Sequence, residues 1–465
     1  MRTVKSLLLL LLAFPLSASA ETLHLSLDDA IHMALTTGSE AQLARSAQQR
    51  ANVAVSEALG GLLPQADARF MRTNQSINLA TFGFTLPGFP PVIGPFNVTD
   101  AQVTAQMQVF NLAAIRRYAA MRQELTASRY DVAEAENAVA ASVARFYVML
   151  QRADAQVASR EADVKLFTEL LRSANDQFTA GTATRLDVDQ ARIQLARVQQ
   201  ALLAARNDRE TLRVALLNAI GADESAEVVT TDPLPDRVTI PPLADQLTAA
   251  QANRPELLAI ETRLKEARLG LEAARARRYP SLALDFAGDY AGNTNSDLHW
   301  TRRITGAVIV PVFQTQLNAN VARAEIQLHD AEIQRDTARR NVEAEVRRAT
   351  LTLENANSRL ALAAENVTVA EEALTVARDR QAAGFGSTIE VDRAQDAVRQ
   401  AHEDLIAARA DAAAAGYDLR RSTGVPMSSQ PSSRASARDL GAVAAPSADI
   451  PPPPITPVPP SGVTP

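Results

Sequence analysis

Val139, Val143, Phe146, Leu150, Ala153, Val157, Arg160, Val164, Phe167, Leu171, Ala174 and Phe178 stand alternately four and three residues apart, and eleven of the twelve are apolar. The mean step of 3.5 residues is the period of a left-handed coiled coil. Adding 203 to each number gives Val342, Val346, Ala349, Leu353, Ala356, Leu360, Ala363, Val367, Ala370, Leu374, Ala377 and Gln381, where eleven of twelve are again apolar. The chain therefore carries one long apolar seam twice.

The remaining sequence can be placed around these seams. The hydrophobic content is 46%, but only 4% of residues are aromatic, a balance that suits closely packed helices. The 47 basic and 53 acidic residues leave a net charge of -6 without a basic stripe, so no nucleic-acid partner is expected. The absence of cysteine excludes disulfides, thiolate metal sites, a cysteine nucleophile and a lipid attached to a cysteine behind a leader. Arg2 and Lys5, then Leu7–Leu12, then Ala18-Ser19-Ala20 read as a cleaved secretory signal over 1–20. No later run is apolar for the roughly 20 residues that a membrane-spanning helix needs.

After the leader, 25–60 reads as a helix opened by Ser26, Asp28 and Asp29 and stopped at Gly60-Gly61. The period then changes to two. Ala66, Ala68 and Phe70 alternate with Gln65, Asp67 and Arg69, and Ala101 to Val109 alternate with Gln102 to Gln108. A loop over 74–100, with Phe82, Phe84, Phe89 and Phe96, is expected between these strands. A long helix is expected over 112–178, with a turn at Ala180-Gly181-Thr182 and a second helix from Thr184 to Gly221. The same order restarts after a Pro-containing connector. It runs through a helix over 243–278, strands around Leu282–Tyr290 and Ile304–Val312, and a long helix over 315–381. The turn Ala383-Gly384-Phe385 and a last helix to Gly424 complete it.

The offset between the copies falls from 216 at Pro64/Pro280 to 203 at Phe110/Phe313, which places a thirteen-residue difference in the loops between the strands. Loops that vary so freely face solvent. The expected organisation is signal peptide 1–20, first repeat 21–221, connector 222–242, second repeat 243–425 and a disordered Pro/Ser-rich tail 426–465.

Four strands with one apolar face cannot close a barrel alone, and an open sheet leaves unpaired edges. Their length and alternation match transmembrane barrel strands, and Tyr290 and Trp300 suit an interfacial position. Several chains would share one barrel, with the helices projecting into the periplasm. The other reading is a soluble periplasmic or surface coiled-coil protein, decorated by hairpins, with structural work and no channel.

In this order, twice, the features resemble the TolC-like outer-membrane efflux proteins over about 23–425. The resemblance rests on Leu62-Leu63-Pro64, Tyr279-Pro280-Ser281 and Val310-Pro311-Val312-Phe313. It rests also on the turn-plus-helix segments from Ala180-Gly181 to Asp187-Val188-Asp189 and from Ala383-Gly384 to Glu390-Val391-Asp392. It implies a mainly α chain, with a tandem-repeat coiled-coil helical barrel joined to a transmembrane β-barrel of twelve strands, four from each chain of a homotrimer. It implies residence in the outer membrane of a Gram-negative bacterium, in contact with outer-membrane lipid and with a large periplasmic portion. The implied partners are a periplasmic adaptor and an inner-membrane pump of RND, ABC or MFS type, and the implied work is passive conduction in efflux or type I secretion.

The resemblance also makes the turns Ala180-Gly181-Thr182 and Ala383-Gly384-Phe385 the tunnel entrance and the adaptor-docking tips. Asp187 and Glu390 hold matching places in the two copies, where carboxylates repeated around a three-fold axis would favour cations. The same acids close the capping-box spacings Thr184-x-x-Asp187 and Ser387-x-x-Glu390, which needs no channel at all. The family pattern has an acid where this chain has Arg393, a Tyr at Gln381 and an Arg at Gly386, so its closing network is not carried over; Arg185 is the candidate substitute. Arg160 and Arg209 interrupt the seams and read as snorkelling side chains. The five histidines lack ligand spacing. No phosphate loop or nucleophile elbow occurs, so neither an enzyme, a cofactor nor a metal site is expected.

Overall fold

The computed structural model describes residues 22–83, 88, 90–293, 297–383 and 385–425. The expected leader and tail lie outside these described residues, as do Phe84, Phe89 and the turn residue Gly384.

The duplication is exact at the level of helices. In the first copy α1 (Leu27–Thr37), α2 (Ser39–Gly60), α3 (Leu112–Thr179) and α4 (Arg185–Ile220) have 11, 22, 68 and 36 residues. In the second, α5 (Leu243–Asn253), α6 (Pro255–Ala276), α7 (Thr315–Ala382) and α8 (Thr388–Thr423) repeat those lengths. At 1.5 Å per residue α3 and α7 are rods of about 100 Å.

Two differences from the sequence reading concern helix breaks. The helix expected over 25–60 divides at Gly38, whose backbone is extended. The helix expected over 243–278 divides at Arg254, which is extended because Pro255 follows it and crowds the helical conformation. The breaks let each short helix lie across the end of a hairpin. Gly221 and Gly424 end α4 and α8 with φ of 69° and 71°, where a side chain would be strained. A Cβ at Gly221 would crowd Thr37 and one at Gly424 would crowd Asn253 and Arg254, the matching ends of α1 and α5.

The strands are β1 (Thr22–Leu25), β2 (Gln65–Asn78), β3 (Val92–Phe110), β4 (Glu227–Thr230), β5 (Ser281–Asn293) and β6 (His299–Ile309). The loop expected over 74–100 is shorter than that, because the first hairpin keeps pairing to Asn78 and resumes at Val92. The extra residues of the first copy thus lengthen the hairpin as well as its loop. The connector holds β4, which pairs in parallel with β1 across 205 residues of chain.

The main core lies where these pieces meet. Ile31 of α1, Val143, Tyr147 and Leu150 of α3, Leu216, Leu217 and Ile220 of α4 and Val228 of β4 are all nearly inaccessible to solvent. The Tyr147 hydroxyl donates to the Leu25 carbonyl at 2.9 Å and accepts from the backbone N–H groups of Thr231 and Asp232, and Asp232 accepts the Leu27 N–H at 2.7 Å. Burial raises the tyrosine pKa, so it stays a neutral donor. This clasp ties the connector to the start of the chain. A second core, around Leu353, Leu360, Ala412 and Leu419, joins α7 to α8.

Candidate functional site

The two helical turns at the far end of the trunk are unequal. At the first, Gly181 has φ 76°, and Thr184 and Asp187 form a complete capping box. The Asp187 carboxylate accepts from the Thr184 N–H at 2.7 Å and from its hydroxyl at 2.8 Å, while the Thr184 hydroxyl accepts the Asp187 N–H at 3.4 Å. The backbone bond first, and then the hydroxyl, hold this carboxyl below the usual carboxylate range. Arg185 is exposed and lies 3.9 Å from Asp189, one turn further along.

At the second turn only half of the box is made. The Ser387 hydroxyl accepts the Glu390 N–H at 3.3 Å, and no return bond from the Glu390 carboxylate occurs among the described residues. Arg393 likewise has no carboxylate partner among them. Burial, and then the Asp396 charge four residues on, push the Asp392 carboxyl up. Phe385 beside the turn is 83% exposed. Among the described residues, no hydrogen bond or ion pair joins Asp187 or Arg185 to Glu390 or Arg393; each keeps to its own turn.

What joins the two copies lies higher. Along the contact between α3 and α8, Arg145 pairs with Asp418 at 2.8 Å, Arg152 with Asp411 at 3.7 Å and Arg160 with Glu403 at 2.9 Å. Steps of seven and eight down α3 meet the same steps back up α8, as antiparallel helices require. In these three pairs the bases stand on α3 and the acids on α8; above them Glu134 of α3 and Arg421 of α8, 3.7 Å apart, form a pair of the opposite polarity. The lowest rung is the most enclosed: Arg160 also meets Asp163 at 3.4 Å, and Arg399 meets Glu403 at 3.1 Å. Burial raises the Asp163 pKa, and Arg399 and Arg160 pull against that. Below this rung, no described ion pair joins α3 to α8.

Arg160 therefore does not snorkel, as the sequence suggested, because an acidic partner faces it across the interface. Arg209 does not either: it reaches Asp154 at 2.7 Å and Glu227 at 2.8 Å, pinning β4 to the trunk. The signal for the ladder was present, as heptad-spaced bases in one helix and acids at the same spacing, reversed, in another. His402 lies 3.2 Å from Glu371 on α7, so it too has a partner.

At the other end the sheet has strand order β2-β3-β5-β6, antiparallel throughout. Its register stacks the apolar residues on one face. Ala66, Ala105, Phe286 and Ile304 share one row, and Phe70, Ala101, Tyr290 and Trp300 another. The opposite face carries Gln65, Gln106, Asp285 and Thr305, and there Gln102 donates to Asp289 at 2.6 Å. Tyr279, Phe110 and Phe313 are exposed where the strands join the helices. The sheet thus has an apolar face bounded by aromatic residues at both ends, the pattern of a membrane-facing barrel wall. Among the described residues, the outer edges of β2 and β6 have no strand partner.

A wall of this kind mounted on a duplicated trunk of helical hairpins defines the class: an outer-membrane channel with a long periplasmic extension. The description "Outer membrane efflux protein" matches residues 30–222 and 247–425, and the chain belongs to that family. Outer membrane efflux protein BepC of Brucella suis biovar 1 is 23% identical over 361 residues, covering 72% of this chain and 77% of that protein. Toluene efflux pump outer membrane protein TtgI of Pseudomonas putida is 26% identical over 249 residues, which cover 49% of this chain and 52% of that protein. Among solved structures, CusC has a TM-score of 0.73 at 18% identity, covering 89% of this chain and 96% of that one. VceC from Vibrio cholerae has a TM-score of 0.71 at 18% identity, covering 86% and 96%. The family and these neighbours are channel proteins of the outer membrane, not enzymes.

Proposed function

We propose that three copies of this chain close a twelve-stranded barrel and a helical tunnel beneath it. The trimer ducts substrates from an inner-membrane pump, joined through a periplasmic adaptor, to the exterior. The observation that carries this reading is the open sheet: one face is apolar, and both edges lack the partners that a membrane demands. A second chain's β2 against β6 supplies them, and the strand directions are right for antiparallel pairing.

The tips are the entrance, and the docking turns are Ala180, Gly181 and Thr182 with Ala383, Gly384 and Phe385. Of the two acids, Glu390 is the better lining group, because the Asp187 carboxylate is engaged by its own helix cap. The entrance opens when the α7–α8 tip swings away from the α3–α4 tip below the Arg160–Glu403 rung.

Planar bilayers test this. Glu390→Lys is expected to change cation selectivity, and Asp187→Asn to change it less. Unchanged conductance and selectivity in both would remove the acids from the constriction. The relative named for toluene efflux makes small organic compounds the first cargo to try. A deletion strain, screened with solvents, dyes, detergents and metals, reads that directly.

A further inference from the structure

The apolar face of the sheet carries two charged residues among the described strands, and both are arginines. Arg302 on β6 pairs with Gly288, in the row that continues to Val103 and Ala68. Arg72 on β2 pairs with Thr99, two residues beyond Phe70 on the same face. Both side chains are exposed, and neither has an acidic partner among the described residues. An unpaired charge on a lipid-facing surface is unfavourable unless it reaches the interface and finds a counter-charge there.

In the register they flank the row of Phe70, Ala101, Tyr290 and Trp300: Arg302 stands one same-face row nearer the trunk and Arg72 one row farther from it. Arg72 is the eighth residue after Pro64, where β2 leaves its helix, and Arg302 is the eighth residue before Val310, where β6 returns to one. The aromatic pair Tyr290 and Trp300 stands close by on the same face. The Trp300 ring lies across Gly288, so close that a Cβ there would overlap it. The two arginines therefore lie within one row of the upper aromatic residues, within reach of headgroups by extending along the strands. They also lie on the two edge strands. Closure of a barrel brings β6 of one chain beside β2 of the next, so each subunit boundary gathers one Arg302 and one Arg72.

Resting on the barrel reading, we propose that each subunit boundary is a binding site for the phosphate headgroup of an anionic outer-leaflet glycolipid. Arg72 and Arg302 from adjoining chains grip the phosphate, and the apolar rows below them receive the acyl chains. Guanidinium groups suit this role because their fork of N–H donors matches phosphate oxygens. Charge complementarity selects the occupant, since no acid on this face among the described residues competes for the arginines. Bound lipid would then bridge two chains and stabilise the trimer.

The test is native mass spectrometry, with thermal dissociation, of the detergent-extracted trimer incubated with diphosphoryl lipid A. The parallel arms are the same lipid stripped of phosphate, and inorganic phosphate alone. The wild type should retain up to three phosphorylated lipids and dissociate at a higher temperature with them. Removing each arginine should cost about fivefold in retention, on the scale of one basic group at an anionic surface. Arg72→Lys with Arg302→Lys should keep most of the effect that Arg72→Gln with Arg302→Gln loses. Trimer yield and heat-modifiability serve as the folding control. Equal retention by the Gln double variant, equal protection by phosphate-free lipid, or full protection by inorganic phosphate would overturn the proposal. Failure to isolate any detergent-stable trimer would overturn the barrel reading beneath it.

Discussion

The upper and lower halves of the trunk use the same apolar period but end in different physical states. At the level of the connector, about midway along α3 and α7, Val143, Leu150, Val346 and Leu353 are fully buried, while toward the turns the seam is only half covered and Phe178 is 47% exposed. The ion-pair ladder between the repeats ends in the same place, at Arg160–Glu403. The difference teaches that periodicity fixes which side of a helix is apolar, whereas burial depends on how many elements arrive there. Above, α1, α4, β1 and β4 crowd onto α3; below, the α3–α4 and α7–α8 pairs stand with fewer neighbours. The well-packed half holds the repeats together, and the sparse half is free to move or to meet other chains.

The largest test of this contrast is in the core. Leu353→Ala should cost about 2–5 kcal/mol, because a cavity is left in a packed site. Leu374→Ala, in the lower seam of the same helix, should cost much less. Thermal denaturation of the two variants decides it, and equal losses would erase the distinction.

Next is the lowest rung. Glu403→Gln should destabilise by about 1–3 kcal/mol, since it leaves the half-buried Arg160 and Arg399 short of an acceptor charge. It should also raise the open probability in bilayers. Arg145→Ala, on the exposed upper rung, should cost at most about 1 kcal/mol and leave opening unchanged.

Smaller still is the inequality of the turns. Thr184→Ala removes a complete capping box and should cost about 1 kcal/mol, whereas Ser387→Ala removes half of one and should cost less. Hydrogen exchange over 185–190 and 388–393 measures both.

The smallest effect is in pH. The depressed pKa of Asp187 means that its cap contributes fully above the unfolded value, near 3.9, and is lost only as pH falls through the lower folded value. The pKa of Asp163 is raised, so on acidification it takes its proton earlier, above that unfolded value. Exchange around 158–165 should therefore respond at a higher pH than exchange around 184–190.

Much of this architecture was legible because long periodic elements announce themselves. The offsets 203 and 216 placed all four long helices and located the length change between the strands. What stayed hidden was short or distant. Four residues at Thr22–Leu25 carry no readable period, and their partner lies some 200 positions away, so β1–β4 needed the fold. Gly94-Pro95 and the polar residues around it broke the alternation and concealed the first half of β3. The capping boxes were readable as spacing, but not which of the two would close. Arg160 and Arg209 looked like interruptions because their acids lie on other elements.

The central claim is that the edges of the sheet meet between chains, and the chain's lack of cysteine makes the test clean. Introducing Ala68→Cys together with Ile304→Cys, Gly306→Cys or Val308→Cys samples the registers in which β2 of one copy lies beside β6 of another. Oxidised in outer membranes and run under denaturing, non-reducing conditions, at least one pair should trap a species of three chains that reverts to one on reduction. If every pair yields only single chains, while the protein is recovered from water without detergent, the shared barrel does not exist.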